Sequence, residues 1–381
     1  MRRGLPLLAL LTALGGCATQ PVTPIGDAAD VGTLSGEETR LWNQAEEFDQ
    51  ALVRSGKLHR DDALETYVQT VMDGLYPELD GAVRVHIVRS PTLNAFALPN
   101  GSIYVHLGLL ARLENEAQLA TVLAHEAGHF VDKHALRQRR NVKTSTAFAA
   151  SVGMVGIPLV GEVLAVSSIY GYSRDLERDA DAIAYERLAG AGYRTAEAVR
   201  VFEHLAAEVE ALDVDEPYFF SSHPRLQERI ETFERLAEGP AARDGRVAAG
   251  RYLQATAEAR VECLRLDLSM NRHESVLLAL QREDTDARYP AHYPYYLGEA
   301  FRKRGADGDR ARAAQAYRRA VRTAPDFAPS YRALGVHHLK AGDYGKARRF
   351  LKAYLQRAPQ APDRGYVEQY LRQAKNKENA G

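Results

Sequence analysis

The sequence predicts a mainly α-helical protein of two parts: a helical domain that holds a small β-sheet, then an all-α repeat domain. Three observations carry this. Apolar residues recur at helical spacing through most of the chain. Only the stretch 83–106 alternates as strands do. Beyond residue 250, two segments share a 34-residue period, with Pro325 and Pro359 one repeat apart.

The bulk numbers suit that reading. The chain has 381 residues, enough for two domains. It is 45% hydrophobic and 26% charged, a globular composition. Its 49 basic and 50 acidic side chains give a net charge of −1, so charge makes no case for nucleic acid as the main partner.

The N-terminus reads as a targeting segment, residues 1–17. Arg2 and Arg3 precede a short apolar core, Leu5 to Leu14, too short to span a bilayer. Leu14-Gly15-Gly16-Cys17 then resembles a bacterial lipobox. The resemblance implies cleavage before Cys17, lipidation of Cys17 and a membrane anchor. Ala18, where aspartate would retain a lipoprotein at the inner membrane, points to the outer membrane. Residues 18–35 form a flexible tether rich in Pro, Gly and Thr. With Cys17 lipidated, Cys263 has no partner in the chain and reads as a small buried residue.

Residues 36–240 are expected to form the first domain. Trp42, Ala45, Phe48, Leu52 and Val53 mark one helix, and Leu64, Tyr67, Val68, Val71 and Met72 a second. Strands are expected at 83–88, 94–97 and 102–106, the last two joined by a turn at Pro99-Asn100-Gly101. Asn115 caps a helix running to about His134. The uncharged run 144–161 is broken by Gly153, Gly156, Pro158 and Gly161 and reads as two short buried or surface-docked helices. A further helix spans about 173–188.

The second domain is expected over 250–376. Leu297, Gly298, Phe301, Ala313, Tyr317, Ala320 and Pro325 fit the tetratricopeptide pattern, with a short insertion near 305–309. Tyr331, Leu334, Gly335, Ala347 and Pro359 fit it again, with Tyr354 replacing a small residue.

The chemistry centres on His125-Glu126-Ala127-Gly128-His129. Two histidines four apart lie on one helix face and can share a zinc ion, while Glu126 is placed to work as general base. Apolar flanks mark a buried helix, and Gly128 suggests a close backbone approach. A catalytic zinc takes a third protein ligand, in gluzincins a glutamate from a later helix. Glu177 and Asp181 share one face of the 173–188 helix, and Asp175 and Asp179 another. Spacing favours Glu177 only modestly. His106 and His134 lack ligand spacing and read as structural.

Four motifs in order extend the argument: Asn94-Ala95-Phe96-Ala97-Leu98-Pro99-Asn100-Gly101, His125 to His129, Glu177 to Asp181 as E-x-x-x-D, and Ser222-His223-Pro224 with Arg229-Ile230. With them the chain resembles the HtpX and CAAX-prenyl-protease superfamily of zinc metallopeptidases, most closely its periplasmic β-barrel assembly-enhancing branch, which carries C-terminal tetratricopeptide repeats. The resemblance implies a gluzincin-type domain with one zinc per chain. It makes Glu177 the third ligand and Asp181 a carboxylate orienting a zinc histidine. His223 becomes a regulatory fourth ligand on a loop able to cover the metal. Arg229 becomes a group that binds the oxyanion or pairs with Asp181. Substrate would add to an open edge along Ile103–His106, with Asn94, Phe96, Ile103 and Tyr104 forming the binding edge. The implied activity is zinc endopeptidase quality control of unfolded or misassembled outer-membrane proteins in the periplasm, with the β-barrel assembly machinery as partner through the repeats. Cysteines that form disulfides in the enterobacterial repeats are missing here, so that redox control does not carry over.

Two rival readings belong to other classes. One is a chaperone or assembly adaptor with a capped or structural zinc site. The other is an integral membrane protease, against which the broken 144–161 run speaks.

Overall fold

The computed structural model describes residues 22–27, 34–142, 172–212, 226–282 and 284–380. Cys17, His223 and the run 144–161 lie outside these residues.

Helix α1 (Gly36–Arg54) starts on a capping box. The Ser35 amide donates to Glu38 Oε2 at 2.7 Å, and the Glu38 amide donates to Ser35 Oγ. Helix α2 (Asp62–Leu75) starts on Asp61, whose carboxylate accepts from the amides of Ala63 and Leu64. Three strands follow: β1 (Arg84–Val88), β2 (Ala95–Ala97) and β3 (Ser102–His106). Their order is β1-β3-β2, with β3 parallel to β1 and antiparallel to β2.

Alternation along the strands separates two cores. Val85, Ile87, Ala95, Ala97, Ile103 and Val105 face the main core. Phe96 and Tyr104 face the other way, onto Ala45 and Leu52 of α1. Across the strands, His86, Tyr104 and Phe96 stack with centroids 5.1 Å apart at each step.

Beyond the sheet come α3 (Leu107–Arg112), α4 (Glu116–Val131), α5 (His134–Val142), α6 (Arg174–Gly190), α7 (Glu197–Leu212) and α8 (Leu226–Leu236). All of α4 is buried. Its N-cap, Asn115, accepts from the Gln118 amide at 3.0 Å. A helix enclosed by α2, α6, α7 and the sheet needs small and apolar residues on every side, which Ala117, Leu119, Ala120, Leu123, Ala124 and Ala127 supply.

The remainder is helical: α9 (Ala249–Ala255), α10 (Ala257–Ser269), α11 (His273–Leu280), α12 (Thr285–Arg288), α13 (Tyr293–Arg304), α14 (Asp309–Thr323), α15 (Ala328–Lys340), α16 (Tyr344–Arg357) and α17 (Arg364–Ala380). Tyr252 and Ala259 pack into the first core, so α9 and the start of α10 continue it. Helices α13–α14 and α15–α16 are repeat hairpins. A Cβ on Gly298 would stand 2.4 Å from the Tyr317 ring, and one on Gly335 2.6 Å from Leu351. Each repeat glycine therefore sits where the facing helix leaves no room for a side chain.

Arginines stitch the two parts together. Arg112, at the end of α3, is buried between Glu208 of α7 at 2.9 Å and Asp267 of α10 at 3.4 Å. Arg260 donates to the carbonyls of Ala111 and Leu113 at 2.5 and 2.6 Å, and Arg288 to that of Arg112 at 3.2 Å. The last carbonyls of α3 are thus capped by the helices that follow α9. Cys263 is buried beside this cluster, and burial pushes its thiol up to about 12. Among the described residues no helix is long and apolar enough to cross a membrane.

Candidate metal centre

Helices α4 and α6 cross with Gly128 against Ala180 and Ile183. A Cβ on Gly128 would meet Ile183 at 3.4 Å, an ordinary contact. The close approach expected of Gly128 is therefore mild, and Ala180 supplies much of the room.

This crossing brings three buried side chains together. Nε2 of His125 and Nε2 of His129 are 3.0 Å apart. Glu177 of α6 places Oε2 3.5 Å from the first and Oε1 3.7 Å from the second. A tetrahedral ion with bonds of about 2.0–2.1 Å sets its donors about 3.3 Å apart, so this N, N, O set fits one metal ion. Asp175 and Asp179 stay outside the cluster. Glu126 is 1% exposed on the same helix.

The next layer of contacts orients these donors. Asp181, one turn after Glu177, has Oδ1 3.0 Å from Nδ1 of His125. Arg229 of α8 donates to Asp181 through Nε at 3.1 Å and Nη2 at 2.6 Å, and its Nη2 is also 2.9 Å from Nδ1 of His125. With a metal on Nε2, Nδ1 would carry the proton and donate to Asp181, and Arg229 Nη2 would then donate to Asp181 and not to the ring. Arg229 lies over the Phe202 ring at 4.3 Å. Burial works against its charge, but Asp181, Glu177 and Glu126 outweigh it and raise the pKa. Arg229 is tied to Asp181 and is buried.

Two contacts of His129 escape a spacing argument. His134 is fully buried, with Nδ1 2.8 Å from Nδ1 of His129. Lys133, with φ 51°, turns the chain between α4 and α5, so helical spacing does not describe where His134 goes. Tyr172 stacks flat on the His129 ring, 3.9 Å between centroids. The sequence gives little sign of either, since one depends on a left-handed residue and the other on a distant segment. His106 is buried, accepts or donates at 2.6 Å with Thr92, and is held near a pKa of about 3 by burial, as suits a structural histidine.

The expected substrate edge requires correction. Strand β3 is the central strand, paired on both sides, so Ile103–His106 has no open edge. Ile103 and Tyr104 are fully buried core residues and Phe96 packs under α1. Asn94 is fully buried too, its side chain without a hydrogen-bond partner among the described residues. Alternation identified the faces of these strands but not their neighbours. The edge strand on the α4 side is β2. It runs into an apolar groove lined by Leu41, Trp42, Leu98, Phe130, Leu136 and Tyr172, with His129 at its wall.

Residues 58–237 match Peptidase family M48, and 306–366 match a tetratricopeptide repeat. The mitochondrial metalloendopeptidase OMA1 of Arabidopsis thaliana is 30% identical over 217 residues, 54% of this chain and 42% of that protein. A putative beta-barrel assembly-enhancing protease of Vibrio cholerae is 26% identical over 232 residues, 55% of this chain and 48% of that protein. The beta-barrel assembly-enhancing protease of Yersinia pestis is 25% identical over 238 residues, covering 56% and 48%. The chain spans about half the length of the curated relatives it matches. It carries an M48 metallopeptidase domain followed by tetratricopeptide repeats.

Proposed function

We propose that this M48 peptidase with its repeats is a zinc-dependent endopeptidase of the bacterial periplasm. In this reading it is held at the outer membrane through Cys17, acts on unfolded or misassembled outer-membrane proteins and meets the β-barrel assembly machinery through its repeats. The observation that carries the enzymatic part is the buried His125–His129–Glu177 triangle, with Glu126 beside it. The names of the Vibrio and Yersinia relatives, beta-barrel assembly-enhancing proteases, support the link to β-barrel assembly.

His125, His129 and Glu177 would hold the zinc. When bound, zinc supplies Lewis acidity toward a peptide carbonyl and lowers the pKa of water. Glu126 takes the proton of the attacking water and returns it to the leaving amine. Asp181 holds the His125 ring in one tautomer, and Arg229 fixes Asp181. The β2 edge aligns an extended substrate, and the groove beside His129 favours an apolar side chain there.

The test is Glu126→Gln in the full chain. The variant is expected to bind one zinc as the wild type does and to lose casein cleavage by at least about 100-fold. Full cleavage by the variant would remove Glu126 as the base. Rescue of an assembly defect by the inactive variant would favour the adaptor reading instead.

A further inference from the structure

The near-zero net charge of the chain hides a division. Residues 1–290 carry 30 lysines and arginines against 42 aspartates and glutamates, and residues 291–381 carry 19 against 8. The helices from α13 onward are cationic in sum, and the chain before them carries a net excess of acid.

Part of this excess gathers at a groove of about 550 Å³ between the two repeat hairpins. Arg302, Arg310, Arg332, His337 and Lys340 line it, against the acids Glu299 and Asp307. Glu299 already engages Arg302 at 2.6 Å, and Asp363 engages Arg332. Arg310 and Lys340 are exposed, and neither makes an ion pair among the described residues. Arg318 of α14 is exposed in the same way. The field they create reaches their neighbours: burial lowers the pKa of His337, and His338, Arg310 and Arg318 lower it further. Of its aromatic lining residues, Phe301 and Tyr317 are buried, and Tyr370 of α17 is half-buried.

We propose that this groove docks an acidic, extended segment of a partner polypeptide, pairing its carboxylates with Arg310 and Lys340. A recess of this size admits a few residues of extended chain, whereas a flat bilayer could not enter it. Half-buried Tyr370 offers a ring face to an apolar part of the peptide. The anionic first part of the chain disfavours drawing the same segment into the metal site. The occupant is therefore held by the repeats as a docking partner and not preferred as a substrate.

The probe is a fluorescein-labelled octapeptide rich in glutamate with one aromatic residue, and its glutamine counterpart. Both are titrated by anisotropy against the full chain carrying Glu126→Gln, so that cleavage plays no part and binding is read independently of the peptidase reading. The acidic peptide is expected to bind, and to weaken about tenfold or more between roughly 0.05 and 0.5 M salt. The double variant Arg310→Glu with Lys340→Glu is expected to lose about tenfold or more, and the distant Arg54→Glu nothing. Equal binding of the glutamine peptide would overturn the proposal, as would indifference to salt or an unchanged affinity of a folded double variant. Binding of phosphatidylglycerol vesicles or a single-stranded oligonucleotide with none of the acidic peptide would also overturn it.

Discussion

Arg229 grips Asp181 with two donors, Nε at 3.1 Å and Nη2 at 2.6 Å, and Asp181 stands 3.0 Å from Nδ1 of His125. Helix α8 thereby reaches the metal centre through one buried ion pair. The pair is useful for its position: it fixes the ring that a metal would bind, and removing either partner leaves the other buried without its opposite charge.

Replacing Asp181 with alanine is therefore expected to weaken metal binding by about 10–100-fold. Competition with a chromogenic chelator measures this. An affinity equal to wild type would detach Asp181 from the centre.

Arg229→Met leaves Asp181 buried without its paired cation, and about 3–5 kcal/mol of stability should be lost. Urea unfolding of the metal-loaded protein reads the loss. Arg229→Lys should recover only part of it, because one ammonium cannot reproduce the fork that spans Asp181.

Two glycines should behave oppositely. Gly298→Ala forces a methyl into the Tyr317 ring and should cost about 1–3 kcal/mol. Gly128→Ala meets only an ordinary contact with Ile183, and alanine's better helix propensity, about 1 kcal/mol, offsets any crowding. Matched urea curves for the two variants compare them directly. A larger loss at Gly128 would contradict the packing of α4 on α6.

Glu38 gives a pH signature. Burial pushes its carboxyl up, but Lys133 at 2.6 Å and the Ser35 hydroxyl and amide outweigh this and bring it down to about 2. A depressed carboxylate stabilises the fold above its unfolded value near 4.5 and loses that contribution as pH falls toward 2. Thermal melts across that window should drop less steeply for Glu38→Gln than for the wild type. Parallel slopes would show that the contact does not stabilise the fold.

Much of the centre is legible from residue spacing, because it is built on helices. Four-residue steps put His125 over His129 and Glu177 over Asp181, and Asn115 marks where α4 begins. The repeat hairpins are legible for a similar reason, since Gly298 and Gly335 lie where two helices touch. Strand order is different. The residues of β3 alternate just as an edge strand would, and only its pairing with both β1 and β2 makes it central. His134 and Tyr172 reach His129 through a left-handed turn and across a long stretch of chain, which periodicity cannot express. The charge division lay in the sequence throughout, cancelled in the total.

The capping of α3 by Arg260 and Arg288 has a consequence for how the protein is made. Synthesis proceeds from the N-terminus, so every residue of the metal centre leaves the ribosome before Arg260 does. Until then Glu208 lacks its finished surroundings around Arg112, and the carbonyls of Ala111, Arg112 and Leu113 lack their donors. The segment joining the sheet to α4 is completed only when the last third of the polypeptide arrives. A chain ending before Arg260 would hold all the metal ligands and still lack the donors that cap α3.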